Sequence, residues 1–191
     1  MIESIEAVIF AGGKSSRMGK DKSLLPFAGY STLAEFQYSR LSKLFKHVSL
    51  SAKENKFDFD SDVIEDIDGE HSPLVGIISI FETLREEEVF ILSVDAPFVE
   101  SDTIEKILSR NENSHDVLIA QSPSGVQPLC GLYKKSILPF AQQQLKKNNH
   151  RLGDLLRLVN TEYVKFEDDL PFTNLNHPEE YQKALKLFSD Y

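Results

Sequence analysis

Four cations crowd a short glycine-containing stretch of an acidic chain. Gly12-Gly13-Lys14-Ser15-Ser16-Arg17-Met18-Gly19-Lys20-Asp21-Lys22 carries Lys14, Arg17, Lys20 and Lys22 beside one acid, in a protein whose formal net charge is -9. Such a loop suits a bound polyanion. Gly12 and Gly13 let backbone N–H groups approach phosphate oxygens, and the side chains neutralise the remaining charge. Two familiar phosphate loops do not fit. A Walker loop ending at Gly19-Lys20 needs glycine at position 14 and a hydroxyl at 21, where Lys14 and Asp21 stand. The dinucleotide fingerprint needs a residue between its first two glycines, and Gly12 and Gly13 are adjacent.

The elements around the loop must hold it. Val8-Ile9-Phe10 reads as a buried strand leading into it. Thr32-Leu33-Ala34-Glu35 has the spacing of a capping box, and Leu33, Phe36, Leu41, Leu44 and Phe45 continue it at helical spacing. Val48, Leu50 and Ala52 alternate as a strand, and Val63-Ile64 forms a shorter one before Asp66. Ser72-Pro73 opens a helix with Ile77, Ile80, Phe81 and Leu84 on one face, and Glu86-Glu87-Glu88 closes it as a solvated run. Val89 to Val94 is continuously apolar, as a strand covered on both faces should be, and ends at Asp95-Ala96-Pro97. Ser101 is expected to cap the next helix, Val117 to Ala120 to form a strand, and Leu132-Tyr133 another. Helices over 136–147 and 151–158, an extended Tyr163 to Phe166 and a last helix from Pro178 complete the pattern. The alternation predicts an α/β fold with three layers and a mostly parallel central sheet. In such sheets ligands bind beyond the carboxyl ends of the strands. The glycine loop, Asp66 and Asp95 are therefore expected on one rim.

Asp95 by itself suits two roles, a turn or cap residue and a ligand that holds Mg2+ against nucleotide phosphates. The cationic loop on the same rim favours the metal. Arg17 and Lys22 are the candidate electrostatic catalysts, Arg17 for a departing pyrophosphate and Lys22 for a transferred phosphate. A phosphate nucleophile is ionised at neutral pH and needs no general base. No Ser-His-Asp or Cys-His arrangement is evident.

The apolar strand followed by FAGGKSSRMGKDK resembles the signature of the molybdenum cofactor guanylyltransferase (MobA) family. Further segments are similar to that family's: Val63-Ile64-Glu65-Asp66, Ser72-Pro73-Leu74-Val75-Gly76, Val94-Asp95-Ala96-Pro97-Phe98, Gln127-Pro128-Leu129-Cys130-Gly131-Leu132-Tyr133 and Asn174 to Glu180. The resemblance implies a Rossmann-like nucleotide-diphospho-sugar transferase fold and transfer of GMP from GTP to molybdenum-bearing molybdopterin, with release of pyrophosphate. It implies GTP contacts from Phe10, Ala11, Gly12, Gly13, Lys22, Ser51, Asp66 and Asp95, with Mg2+ on Asp95 and Asn176 a second polar contact. Gln127 and Asn176 are implied on the pterin side. Against those roles, Gln127 could simply precede a proline turn and Asn176 position the last helix. Ser51 stands where relatives present an asparagine, and Ser72 and His177 replace a glycine and a threonine. Two other functions stay open: a CTP-dependent or other small nucleotidyltransferase on the same fold, and a non-catalytic nucleotide-binding regulator.

The 191 residues suffice for one domain, with a nucleotide-binding half over about 1–100 and an acceptor-binding half over about 101–191. The acidic balance disfavours nucleic acid and anionic membranes as partners. The lone Cys130 excludes an internal disulfide and reads as a packed core thiol. Met1 to Glu6 lacks the basic start and apolar core of a signal peptide, and no run reaches membrane-spanning length. A cytoplasmic monomer, in transient contact with cofactor-delivery proteins, is expected. Asp58, Asp60 and Asp62 imitate a calcium loop without its glycine and glutamate, and the five histidines show no metal-ligand spacing.

Overall fold

The computed structural model describes residues 2–12, 19–67 and 72–189, the side chain of Ser189 excepted. Seven strands form one sheet: β1 (Glu6–Phe10), β2 (Val48–Ala52), β3 (Asp62–Glu65), β4 (Glu88–Ser93), β5 (Val117–Ser122), β6 (Gly125–Lys134) and β7 (Thr161–Lys165). Their spatial order is β3-β2-β1-β4-β6-β5-β7. Only β6 runs antiparallel to its neighbours, β4 and β5. The remaining pairs are parallel, in agreement with the mostly parallel α/β expectation.

Period-two alternation sends successive strand side chains into two cores. Ala7, Ile9, Phe90, Leu92, Leu118 and Ala120 enter one core. Val8, Phe10, Val89, Ile91, Val117 and Ile119 enter the other. The first core is closed by α1 (Leu33–Leu41), α3 (Ser101–Leu108) and α6 (Pro178–Ser189), and the second by α2 (Pro73–Thr83), α4 (Leu138–Lys146) and α5 (Leu152–Leu158). Burial on both faces explains the unbroken apolar runs, since no strand position from Val89 to Leu92 meets water.

Caps set the helix starts. Thr32 accepts from the Glu35 N–H at 3.0 Å, while the Glu35 carboxylate reaches back to the Ser31 N–H, one residue earlier than a strict capping box. Ser72 accepts from the Val75 N–H at 3.3 Å and opens α2 with Pro73 in its first turn.

Three sequence expectations are corrected. Ser101 does not cap α3: Glu100 occupies the cap position without a side-chain bond, and Ser101 is already helical. Glu86-Glu87-Glu88 does not end α2, which stops at Thr83. Glu88 instead starts β4, and its carboxylate accepts from the Asn111 amide at 3.1 and 3.2 Å. Finally, β6 is ten residues long and begins at Gly125, well before Leu132-Tyr133.

The early part of β6 carries little apolar signal because it contains an irregularity. The β5–β6 register jumps from Ile119↔Gly131 to Ala120↔Gln127, so Pro128, Leu129 and Cys130 bulge out of that ladder. A bulge is where a strand proline is tolerated, having no N–H to offer. The Tyr133 hydroxyl donates to the Pro128 carbonyl across it. Gly131 is required by packing, because a Cβ there would lie 2.3 Å from the Leu118 carbonyl oxygen.

Candidate active site

The carboxyl ends of β1, β2 and β4 lie side by side, and the residues after them line two adjoining hollows. The smaller, about 90 Å³, is bounded by Phe10, Gly12, Ser51, Lys53, Asp66, Ser72 and Gly76. The wider, about 430 Å³, is bounded by Ser93, Asp95, Gln127, His150, Phe172 and Asn174 among others. Pro73 and Leu129 belong to both walls and form the divide.

Asp95 stands at the end of β4, as its position after the apolar run predicts. One carboxylate oxygen accepts from the Ser93 hydroxyl at 2.6 Å, and the other pairs with the Lys22 ammonium. The Lys22 ammonium also donates to the Asn176 side-chain oxygen at 3.2 Å. Residues 73 and 154 positions apart in the chain thus converge on one cation. The side chains of Lys22 and Asp95 retain only 16% and 13% exposure, so their charges meet in a partly dehydrated setting where they act strongly.

The surroundings fix each partner. Lys22 opens a single 3-10 turn, Lys22–Leu24, capped by Asp21, whose carboxylate accepts from the Ser23 N–H at 3.0 Å and hydroxyl at 2.7 Å. Gln37 on α1 donates to the Val94 carbonyl at 3.2 Å, and Arg40 donates to the Pro97 and Val99 carbonyls, so α1 grips the backbone on both sides of Asp95. Burial lowers the Arg40 pKa, with the charge of Glu100 opposing. The segment after β7 returns to the rim, where the Leu175 N–H donates to the Asp95 carbonyl at 2.9 Å. Glu180, in the first turn of α6, accepts from the Asn176 and His177 N–H groups at 2.7 and 2.8 Å. That bond gives the Asn-His-Pro-Glu-Glu spacing its physical meaning: the glutamate fixes the backbone that presents Asn176.

Other sequence-derived candidates occupy different places. Gly12, Ser51 and Asp66 line the smaller hollow, Ser51 from a buried position. Phe10 is 95% buried (5% exposed), and its ring rests on α2 at Gly76, where a Cβ would come within 2.6 Å of it. Ala11 is buried, and both its backbone groups bond within the protein: its N–H donates to the Ser51 carbonyl at 2.9 Å, and its carbonyl accepts from Lys56 at 3.1 Å. Gln127 reaches the wider hollow, with its amide nitrogen 3.2 Å from the Ser122 hydroxyl and 3.5 Å from the Gly125 carbonyl. Gly13 and Arg17 lie outside the described residues.

Sequence reading missed Gln37, Arg40, Lys56 and His150, and singled out the segment that ends at Glu180 without giving that residue a role. Glu180 alone had a signal, its three-residue spacing from His177. His150 joins Ser72, at the start of α2, to Asn148 through its two ring nitrogens, at 2.9 and 3.1 Å.

Two oxygen donors on the rim suit a divalent ion. Asp95 offers a carboxylate and Asn176 an amide oxygen, both hard ligands, and a cation already sits between them in the form of the Lys22 ammonium. No cluster of three or more His, Cys, Asp or Glu side chains able to hold a metal occurs among the described residues. Mg2+ sites can use one or two protein oxygens and complete their shell with water and substrate phosphates. The residues fit such an ion.

Comparison with known proteins gives the family and the fold. Residues 7–164 match the model of the MobA-like NTP transferase domain. A molybdenum cofactor guanylyltransferase of Campylobacter jejuni is 40% identical over 184 residues, covering 95% of this chain and 96% of its own. One from Helicobacter pylori is 37% identical over 193 residues, covering 98% and 94%. Among solved structures, the molybdopterin-guanine dinucleotide biosynthesis protein A of Archaeoglobus fulgidus shares the fold, with a TM-score of 0.85 at 18% identity over 98% of this chain and 100% of its own. A protein from Aquifex aeolicus superposes with a TM-score of 0.76 at 29% identity, over 89% and 92%. The chain therefore belongs to the MobA-like NTP transferase family and is a nucleotidyltransferase.

Proposed function

We propose that the enzyme transfers the GMP unit of GTP to the terminal phosphate of molybdenum-bearing molybdopterin, releasing pyrophosphate. The observation that carries this reading is the meeting of Lys22, Asp95 and Asn176, with Asp95 on the wall of the wider of two adjoining hollows of unequal size. The smaller hollow, edged by Gly12, Ser51 and Asp66, takes the guanosine, and the wider one takes the bulkier acceptor. The border is then where the reacting phosphates meet.

In this scheme an oxygen of the acceptor phosphate attacks the α-phosphorus of GTP. The bond from that phosphorus to the bridging oxygen breaks, and its electron pair leaves with pyrophosphate. The nucleophile is already an anion, so the protein need not remove a proton. Its task is to place two phosphates together against their repulsion and to stabilise charge on the oxygens. Lys22 is a compact charge on a flexible stem, suited to neutralising the transferred phosphate. Arg17 would serve the pyrophosphate through paired donors. Asp95 and Asn176 would hold Mg2+, which when bound supplies Lewis-acid charge to the phosphate oxygens. Ser93, Gln37, Arg40 and Glu180 keep the oxygen ligands in place. Gln127 would face the pterin, whose mixed donor and acceptor edge suits an amide. The protein works as a monomer that receives its acceptor from delivery proteins.

Competition of GTP, CTP, ATP and UTP in a pyrophosphate-release assay, with molybdopterin as acceptor, tests the reading. GTP is expected to dominate. Turnover that prefers CTP would reassign the nucleotide, and nucleotide binding without pyrophosphate release in the presence of acceptor would make the protein a regulator.

A further inference from the structure

Lys56 has no part in the scheme above, yet it touches both ends of the segment on which the scheme depends. It lies on the connection between β2 and β3, with 23% of its side chain exposed. Its ammonium donates to the Asp21 carboxylate at 2.5 Å and to the Ala11 carbonyl at 3.1 Å. Ala11 follows β1 directly, and Asp21 directly precedes Lys22. The acid that appeared in the sequence to temper the cationic loop is therefore spent elsewhere. Its first carboxylate oxygen caps the turn that carries Lys22, and its second is held by Lys56.

The chain of contacts has a direction. Lys56 fixes Asp21 against the end of β1, Asp21 fixes the Ser23 N–H and hydroxyl, and the Leu25 N–H closes the turn on the Lys22 carbonyl at 3.1 Å. Burial works against ionising Asp21, but the hydrogen bonds and charge of Lys56, with those of Ser23, outweigh it and hold the carboxyl below its ordinary value. An ionised carboxylate between two sets of donors makes charge-assisted bonds, which are shorter and stronger than neutral ones. A part-exposed ion pair contributes little to global stability. What it can supply is orientation, and orientation of a catalytic cation is costly to lose.

We propose that Lys56 is a positioning residue that sets the place of Lys22 by holding its capping aspartate to the end of β1. The inference deepens the proposed function and rests on it for the catalytic role of Lys22. Among the described residues, the contacts it rests on join Ala11, Asp21, Lys22, Ser23 and Lys56.

The test is a double-mutant cycle on the full chain with Lys56→Ala, Lys22→Ala and the double variant, with Lys56→Arg as the conservative control. Two readouts are taken. In the free protein, NMR signals of the lysine side chains are followed; Lys56→Ala should move the Lys22 signal, and Lys56→Arg should largely restore it. In turnover, Lys56→Ala should lower kcat about tenfold while KM for GTP changes far less, and it should cost almost nothing further in the Lys22→Ala background. An unmoved Lys22 signal would overturn the proposal, as would a double variant whose loss equals the product of the single losses. A drop in thermal stability that accounts for the lost rate, unrelieved by Lys56→Arg, would also overturn it. The NMR arm needs neither nucleotide nor acceptor. A wild-type protein that released no pyrophosphate would therefore sink the functional reading and leave the positioning of Lys22 still decided.

Discussion

The parallel and antiparallel halves of the sheet build the rim by different rules. In the parallel half each strand ends at the site, so the residue that follows it is delivered there: Gly12 after β1, Asp66 after β3 and Asp95 after β4. In the antiparallel half β6 runs the other way and reaches the rim at its start, with Gln127. Asn176 belongs to no strand; it is carried back by the segment after β7 and pinned by Glu180. The parallel half supplies most of the wall of the small hollow. The other half forms a wide one from a bulge, a hairpin and a returning segment. Under the proposed function, the nucleotide and the larger acceptor would divide along the same line.

Breaking the Lys22–Asp95 pair should have the largest effect. Asp95→Asn keeps the side-chain volume but removes the charge opposite Lys22. Pyrophosphate release should fall by about a thousandfold or more, beyond the hundred- to thousandfold range of losing one preorganised contact. Circular dichroism and Tm should stay close to wild type. A variant with most of its turnover at saturating Mg2+ would show that Asp95 only shapes the turn.

Gly76→Ala probes the rigidity of the small hollow. The added methyl meets the Phe10 ring at 2.6 Å, so the ring must shift into space assigned to the nucleotide. Overpacking of this kind costs about 1–3 kcal/mol. KM for GTP should rise, and acceptor affinity should hardly change. Unaltered Tm and KM would show that the ring moves freely and that the hollow is softer than its packing suggests.

Gln127→Ala sharpens the comparison from the other side. Among the described residues the bonds of its side chain run from the amide nitrogen, and the side-chain oxygen is offered to a ligand. Acceptor affinity should weaken by about 1 kcal/mol, the worth of one net hydrogen bond, while GTP titrations stay unchanged. Loss of GTP affinity with intact acceptor binding would assign the residue to the wrong substrate.

The smallest effect concerns Cys130, which lies on the wall of the wide hollow but is 3% exposed. Burial pushes its thiol up from 9.0 to about 12. Native protein should resist alkylation at pH 8 without loss of activity, and react once unfolded. The sign for stability follows. The unfolded thiol ionises first, so its contribution is complete below pH 9 and is lost as pH rises toward 12. Rapid alkylation of the native state would show that the bulge opens.

The sequence alone was enough for the βα alternation, the two-sided burial of the central strands and the place of Asp95, because local periodicity and strand-end position are short-range properties. It also marks the glycine-rich stretch as a candidate phosphate site, since charge and backbone freedom are read within a dozen residues, though residues 13–18 of that stretch lie outside the described residues. It misjudged Ser101, Glu88 and the start of β6, where neighbouring elements outweighed local preference. The tertiary structure decided which polar groups meet. Nothing near Lys56 marks it as a partner of Asp21, 35 positions away, and nothing in α1 announces that Gln37 and Arg40 hold the backbone around Asp95. Asn176 joins Lys22 across 154 positions only because the chain folds its last segment over the rim. Such contacts are fixed by the packing of whole elements, and a single sequence carries no local pattern for a partner that the fold brings from elsewhere.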